Sequence, residues 1–411
     1  MSERTLADRL AGLRARPAAP RATAGRVDAL ARWFGARLEL TDGGATVVVE
    51  RRVPLPPAEA EVLGSLPATA YLDTETTGLS SGAGTVPFLA GIGVVAGDVL
   101  VLRQLLLPDY PHERALLRRL CEELASCPRM VTYNGRGFDL PLLASRLTVH
   151  GFFAEQAALP ARHDDLLPVA RRLWRRIVGG ARLAEIEYAV LGVRRGLDCP
   201  SPEVPARYFG YLRDGSPEPL AAVLDHNLQD IVSLARLDAT VLLLRAGAWR
   251  TAWPLDHGGL ALELLRVGEV ESAGQVLQHA LTQVGRSEGH RLRRMAARLL
   301  VAAGEVDQAE SVWREGTRAG SLEAAWSWIE VARIRELQRG DLRGALDAAR
   351  AADRVLDLAF ALGRGGGLHE IGRARLVVGR RLRRLRRWVA AAERRTAERR
   401  TALRRMGRPA A

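Results

Sequence analysis

Three short stretches of this 411-residue sequence hold acidic side chains that could act together. The first, Tyr71-Leu-Asp-Thr-Glu-Thr-Thr-Gly-Leu79, closes an apolar run with two carboxylates two residues apart. Residues i and i+2 of a strand share a face, so Asp73 and Glu75 project together and repel one another. A divalent cation relieves that repulsion, and hard carboxylate oxygens suit Mg²⁺ or Mn²⁺. Two solvated acids at an exposed strand end are the ordinary reading of the same spacing. The second stretch, Tyr133-Asn-Gly-Arg-Gly-Phe-Asp139, sets Asp139 at a helix start, where the dipole favours an anion as it does for any first-turn aspartate. The third, His226-Asn-Leu-Gln-Asp230, puts His226 and Asp230 at i and i+4 on one helix face, a spacing that surface pairs also use. Taken together they amount to four acids and an imidazole that titrates near neutrality.

The elements that must position these groups follow from pattern. Thr69–Asp73 reads as a strand, as do residues 86–95 and 99–107, which Gly97-Asp98 joins as a hairpin. A helix from about His112 to Ser126, a strand over 130–133 and a helix from about Phe138 follow. Leu224, Leu228, Ile231 and Leu234 form one stripe of a long helix over about 217–245, with Ser216 as N-cap and Pro217 in its first turn. This predicts a mixed central sheet flanked by helices across residues 67–247. Residues 1–66, with an amphipathic stretch around Leu6, Leu10 and Leu13, a linker over 16–25, an alternating segment over 45–53 and a closing Pro56-Pro57 pair, read as peripheral.

Beyond residue 255, Gly268-Glu-Val, Gly304-Glu-Val and Gly340-Asp-Leu recur at 36-residue intervals, each between two apolar helical patterns and each followed five residues after its glycine by Ala273, Ala309 or Ala345. Such spacing predicts an all-α, tetratricopeptide-like repeat region over 256–363, a surface suited to a protein partner. Residues 373–411 carry 15 arginines against Glu393 and Glu398, so this segment alone accounts for the formal charge of +13. Val378, Leu382, Leu385 and Val389 give it an apolar stripe. Binding nucleic acid through phosphate contacts, capping the last repeat and lying on an anionic membrane are its three readings, in that order. Every basic residue is arginine, a choice that GC-rich codon usage explains. With 47% apolar and 26% charged residues the chain is globular. Cys121, Cys127 and Cys199 lack metal-site spacing and match a reduced cytoplasm. The uncharged run 76–97 is broken by glycines and reads as strands and a turn, not a membrane span, and the charged N-terminus is no secretory signal.

The Asp73-to-Leu79 string, Asn134 to Asp139, and Asp230 preceded by His226 resemble, in order, the motifs of the DEDD (DnaQ-like) superfamily of 3′–5′ exonucleases, which has a ribonuclease H-like fold. More narrowly, Ser81 to Gly91, His163-Asp-Asp-Leu166 and Arg171-Arg-Leu-Trp174 are similar to bacterial YprB-type ribonuclease H-like domain proteins. The resemblance implies an α/β ribonuclease H-like core and a metal-dependent exonuclease hydrolysing phosphodiester bonds of DNA or RNA at a single-stranded 3′ end. It implies Asp73, Glu75, Asp139 and Asp230 as ligands of two Mg²⁺ or Mn²⁺ ions, and His226 as the general base. The superfamily's histidine subtype places its base five residues before the last aspartate, whereas here the interval is four, and the adjacent Asn227 is the other residue that could face the site. Thr76, Asn134, Trp174 and Arg175 are nucleic-acid-binding candidates, Trp174 by stacking beside arginine-held phosphates. A packed tryptophan among solvated arginines is the more usual meaning of that pattern. His163 and Asp165 stay outside the core set, as a substrate or metal contact on one reading and a capped turn on the other. The rival from another class is a catalytically inactive, nucleic-acid-binding scaffold of the same fold.

Overall fold

The computed structural model describes residues 24–78, 84–157, 159–196, 199–252, 254–283, 286–318, 321–363 and 368–406. The amphipathic stretch around Leu6, Leu10 and Leu13, most of the 16–25 linker and the start of the 81–91 segment lie outside them. The chain divides near residue 250 into two compact units.

The first unit is built on one seven-stranded sheet. Its strands are β1 (Arg37–Thr41), β2 (Gly44–Pro54), β3 (Thr69–Thr76), β4 (Pro87–Ala96), β5 (Val99–Leu106), β6 (Arg129–Thr132) and β7 (Arg162–Asp165), in the spatial order β1-β2-β5-β4-β3-β6-β7. β1, β2, β5, β4 and β3 pair antiparallel, and β3, β6 and β7 pair parallel. The β4–β5 hairpin turns at Gly97, whose φ of +66° is the left-handed conformation the Gly-Asp turn demands. The helices of this unit that matter below are α1 (Ala24–Trp33), α2 (Pro57–Gly64), α3 (Glu113–Ala125), α4 (Asp139–Val149), α5 (Val204–Asp214) and α6 (Glu218–Arg245).

Two expectations are corrected here. Residues 24–64 are integral, not peripheral: β2 inserts beside β5, and Val27, Leu30, Val47, Val48 and Val49 are buried in the main core. Pro57 opens α2 at its first turn, where its missing N–H costs nothing, so the proline pair starts a helix instead of closing a segment. The long helix begins one residue later than expected, with Pro217 at its cap position and no side-chain cap from Ser216. β7 was not foreseen, because the polar stretch Arg162-His-Asp-Asp lacks an apolar period.

The long helix is fastened to the sheet by a buried ionic cluster. Arg129 of β6 donates from Nη1 and Nη2 to the two oxygens of Asp238 on α6, at 2.6 and 2.9 Å, and the Tyr71 hydroxyl of β3 donates to the same carboxylate at 2.9 Å. All three side chains are buried. Burial and the neighbouring Asp238 charge hold the Tyr71 phenol above its ordinary range, so it stays a donor. A second fastening, from Arg146 of α4 to Glu113 at the head of α3, joins those helices through bonds of 2.6 and 2.5 Å.

The second unit is a series of helix hairpins: α7 (His257–Arg266) with α8 (Val270–Gln283), α9 (Arg286–Ala302) with α10 (Val306–Glu315), and α11 (Leu322–Leu337) with α12 (Leu342–Ala361). Gly268, Gly304 and Gly340 turn the three hairpins with φ of +87°, +83° and +65°. In the first two, the amide after the glycine bonds back to Leu264 O or Leu300 O, a left-handed helix stop that glycine adopts without strain. The alanines Ala273, Ala309 and Ala345 are buried where the paired helices meet. The segment expected as a tail is a helix, α13 (Leu368–Met406), which packs on α11 and α12. Ala374, Val378, Leu382, Leu385 and Val389 lie in that unit's core, so the front half of α13 caps the hairpins; Arg381 and Arg384 pair with Glu336 of α11, while Arg383, Arg386 and Arg387 are exposed. No described helix is long and apolar enough to cross a membrane. Cys121, Cys127 and Cys199 are buried.

The Arg129–Asp238 pair makes a first prediction. Asp238→Ala removes the buried counter-charge of Arg129 and leaves it only the Nε bond to the partly exposed Asp164, an effect of about 3–5 kcal/mol. Calorimetry should show the first unit melting roughly 10 °C lower; an unchanged Tm would mean that the pair does not hold the helix.

Candidate functional site

β3 presents Tyr71, Asp73 and Glu75 on one side, and the pairing register places Gly93 opposite Tyr71 and Gly91 opposite Asp73. Gln104 of β5 stands opposite Gly91 on the far side. Directly paired residues share a face, so Gly91 forms a bare slot between Asp73 and Gln104. Asn227 of α6 fills the slot: its Nδ2 donates to Asp73 Oδ2 at 2.8 Å, and its Oδ1 accepts from Gln104 Nε2 at 3.0 Å. A Cβ on Gly91 would stand 2.2 Å from both Asn227 Oδ1 and Ile231 Cδ1, and one on Gly93 would stand 2.7 Å from Ile231. The two glycines therefore set how closely the helix approaches. A register shift between Glu75 and Thr76 ends the regular ladder at the second acid, a bulge of the kind that re-aims a side chain.

Asp139 arrives from the turn between β6 and α4. Asn134 opens that turn at φ +67°, the left-handed conformation that asparagine tolerates. Gly135 packs on Thr132 so closely that a Cβ would lie 2.3 Å from its hydroxyl. Asp165 at the end of β7 holds the turn, accepting from the Asn134 amide at 2.8 Å and the Arg136 amide at 3.2 Å, while capping the helix Leu166–Leu173 through the Leu167 amide. It is thus the capped-turn aspartate, and His163 bonds to Thr132. The hydroxyl of Thr74, between the two strand acids, donates to Asp139 Oδ1 at 2.5 Å. Burial pushes Asp139 up to about 6, with Thr74 and backbone donors opposing.

α6 contributes the third set. His226 Nε2 lies 3.7 Å from Glu75 Oε1 and 3.6 Å from Asp230 Oδ2, bridging the strand acid and the helix acid. Its other ring nitrogen, Nδ1, faces Arg195 Nη1 at 3.4 Å. Arg195 also bonds to Asp230, and grips the buried Glu187 through Nε and Nη2 at 2.6 Å each. Burial raises Asp230 above the ordinary carboxylate range, with His226 and Arg195 opposing. Asp73 is raised well above the ordinary carboxylate range, first by burial and then by the charges of Asp230 and Asp139. That mutual influence shows three acids from separate parts of the chain sharing one neighbourhood.

The four acids and His226 therefore meet, whereas the other candidates fare differently. Trp174 is fully buried, so its expected stacking role is corrected: its indole packs in the core while Arg171 and Arg175 line an adjoining cavity of about 890 Å³, together with Tyr133, Asn134, Arg182, His226 and Asp230. Thr76 is buried and donates to the Gly78 carbonyl. The arrangement of His226 differs from that of a free base, since one nitrogen faces two carboxylates and the other a guanidinium. Among the described residues no three His, Cys, Asp or Glu side chains form a ready-made metal-ligand cluster. The oxygen donors themselves suit a hard divalent ion, and burial keeps the Asp73 and Asp139 carboxyls raised despite the Asn227 and Thr74 bonds and the Arg195 charge, a state such an ion would relieve. Arg195, Glu187, Gln104 and Thr74 escaped the sequence reading. Only Thr74 had a local signal, lying between the two acids.

Residues 70–242 match the RNase_H superfamily. Over 168 residues the chain is 39% identical to the uncharacterized protein YprB of Bacillus subtilis (strain 168), an alignment covering 41% of this chain. The chain spans 40% of the length of that curated relative. The match thus falls within the seven-stranded first unit, whose mixed sheet flanked by helices has an RNase H-like layout.

The slot at Gly91 makes a prediction whose sign opposes backbone propensity, by which alanine in a strand is favoured over glycine by about 0.5–1 kcal/mol. Overpacking against Asn227 and Ile231 should instead make Gly91→Ala destabilising by about 1–3 kcal/mol. Denaturant unfolding reads the difference, and a stabilised variant would show that the helix does not press on this strand.

Proposed function

We propose that this chain is a metal-dependent 3′–5′ exonuclease acting on DNA or RNA, with Asp73, Glu75, Asp139 and Asp230 as ligands for two Mg²⁺ or Mn²⁺ ions. The observation that carries the reading is the convergence of these acids beside an arginine-lined cavity, at a cost in charge repulsion that a purely structural site has no reason to bear. Bound ions would activate the attacking water and stabilise the leaving oxygen. The chain's own groups do the rest. Asn227 and Gln104 orient Asp73, Thr74 orients Asp139, and the Asp165-held turn keeps Asp139 at the helix start. Arg171, Arg175 and Arg182 along the cavity suit a phosphodiester backbone. His226 would position Glu75 and Asp230, and its service as base requires a nitrogen to be released from its present neighbours.

One observation favours the rival reading of a binding scaffold without turnover: the Arg195 guanidinium already neutralises Asp230. Cleavage of labelled single strands with Mn²⁺ separates the two. The nuclease reading expects metal-dependent shortening from the 3′ end, lost about 1,000-fold or more in Asp73→Asn, on the scale of losing several kcal/mol of charge stabilisation. Cleavage that is absent, or unaltered by the substitution, would favour the scaffold.

The helix hairpins, read as tetratricopeptide-like, would serve a protein partner, and α13 would contact nucleic acid. Its exposed arginines include Arg386, Arg387, Arg394 and Arg395. Reversing all four to glutamate should weaken strand binding and flatten the logarithmic salt dependence by about 3. An unchanged slope in an anisotropy titration would leave capping as the helix's sole role.

A further inference from the structure

Arg195 is anchored more firmly than a surface arginine that has drifted onto a nearby acid. Its partner Glu187 is fully buried, in a five-residue π turn, Glu187–Leu191, that ends at Gly192 with φ +67°. Such wide turns are uncommon and often lie at functional sites. Glu187 takes the edge formed by Nε and one N–H of Nη2. A guanidinium has five N–H donors in a rigid plane. The remaining three therefore lie at the end that meets Asp230 and His226 and borders the cavity. A charge held from behind by one carboxylate, and presented in front to another that a metal ion would need, is placed to change partners.

We propose that Arg195 is an exchangeable counter-ion and a phosphate-contacting residue. With no metal bound it neutralises Asp230; when a divalent ion takes that carboxylate, Arg195 stays tethered to Glu187 and turns the donor it gave Asp230, with its neighbours on the cavity side, to a substrate phosphate. Planar, bidentate phosphate recognition is what guanidinium offers over other cations. The proposal rests on the nuclease reading, and requires opposite effects of one side chain on two ligands.

The test measures Mn²⁺ binding by calorimetry and binding of a labelled single strand by anisotropy, using the full chain. Variants are Arg195→Met and, because a lone buried Glu187 could unfold the first, Arg195→Met combined with Glu187→Gln. The expected result is Mn²⁺ binding tighter by about tenfold, the loss of one competing charge-assisted bond, with strand binding weaker by a similar factor. A merely structural arginine would move both affinities the same way. Mn²⁺ affinity equal to or below that of the unaltered chain, or strand affinity unchanged, overturns the proposal while leaving the nuclease reading in place. Absence of Mn²⁺ binding in every form, the unaltered chain included, overturns the nuclease reading and this inference with it.

Discussion

The site depends on how closely one helix approaches one sheet. α6 reaches β4 only because Gly91 and Gly93 have no side chains, and it stays there because Arg129, Asp238 and Tyr71 form a buried, mutually satisfied cluster a few turns further along. The contact is demanding on both sides. A buried ion pair contributes little net stability against an apolar substitute, yet its rupture is expensive, so it acts more as a register pin than as a source of free energy. The pin fixes where along the helix Asn227 falls, and that decides whether its amide meets Asp73 or a strand backbone.

From that registration the electrostatics follow. Asp73, Asp139 and Asp230 come from a strand, a helix start and a helix interior, and each is raised chiefly by burial. The protein compensates the three unequally. Asp139 receives a hydroxyl and backbone donors, Asp230 receives a guanidinium, and Asp73 receives one amide. Asp73 also feels the Arg195 charge, set against the charges of both other acids.

The sheet strands with apolar periods, the Gly97 turn, the long helix and the three glycine-turned hairpins were legible because each is a local signal: alternation, a turn pair or a repeat interval. The spacing of Asp73, Glu75, Asp139, His226 and Asp230 was legible for the same reason. What escaped depends on tertiary partners. β7 is polar and becomes a strand only by pairing with β6, and β1 and β2 looked marginal until β5 supplied a neighbour. Arg195 is one arginine among many in the sequence, and nothing local marks it apart from its fellows; its meaning comes from Glu187 and Asp230, 8 and 35 residues away along the chain. Trp174 allowed two readings, since an aromatic flanked by arginines has the composition of a stacking platform, and the more usual one holds: the ring is buried at the C-terminal cap of an amphipathic helix.

The two rims of the sheet carry a further consequence. β1 is five residues long and β7 four, and both ends of the ladder carry charge of each sign, Arg37 with Glu39 on one and Arg162 with Asp164 on the other. An unpaired strand is an invitation for another chain to add itself, and brevity together with alternating charge is how proteins withdraw it. A seven-stranded sheet with so apolar a middle would otherwise be a hazard for fibrous association. Leu40 already stands exposed on that edge, and removing Arg37 and Glu39 would leave little to discourage a second copy from pairing there.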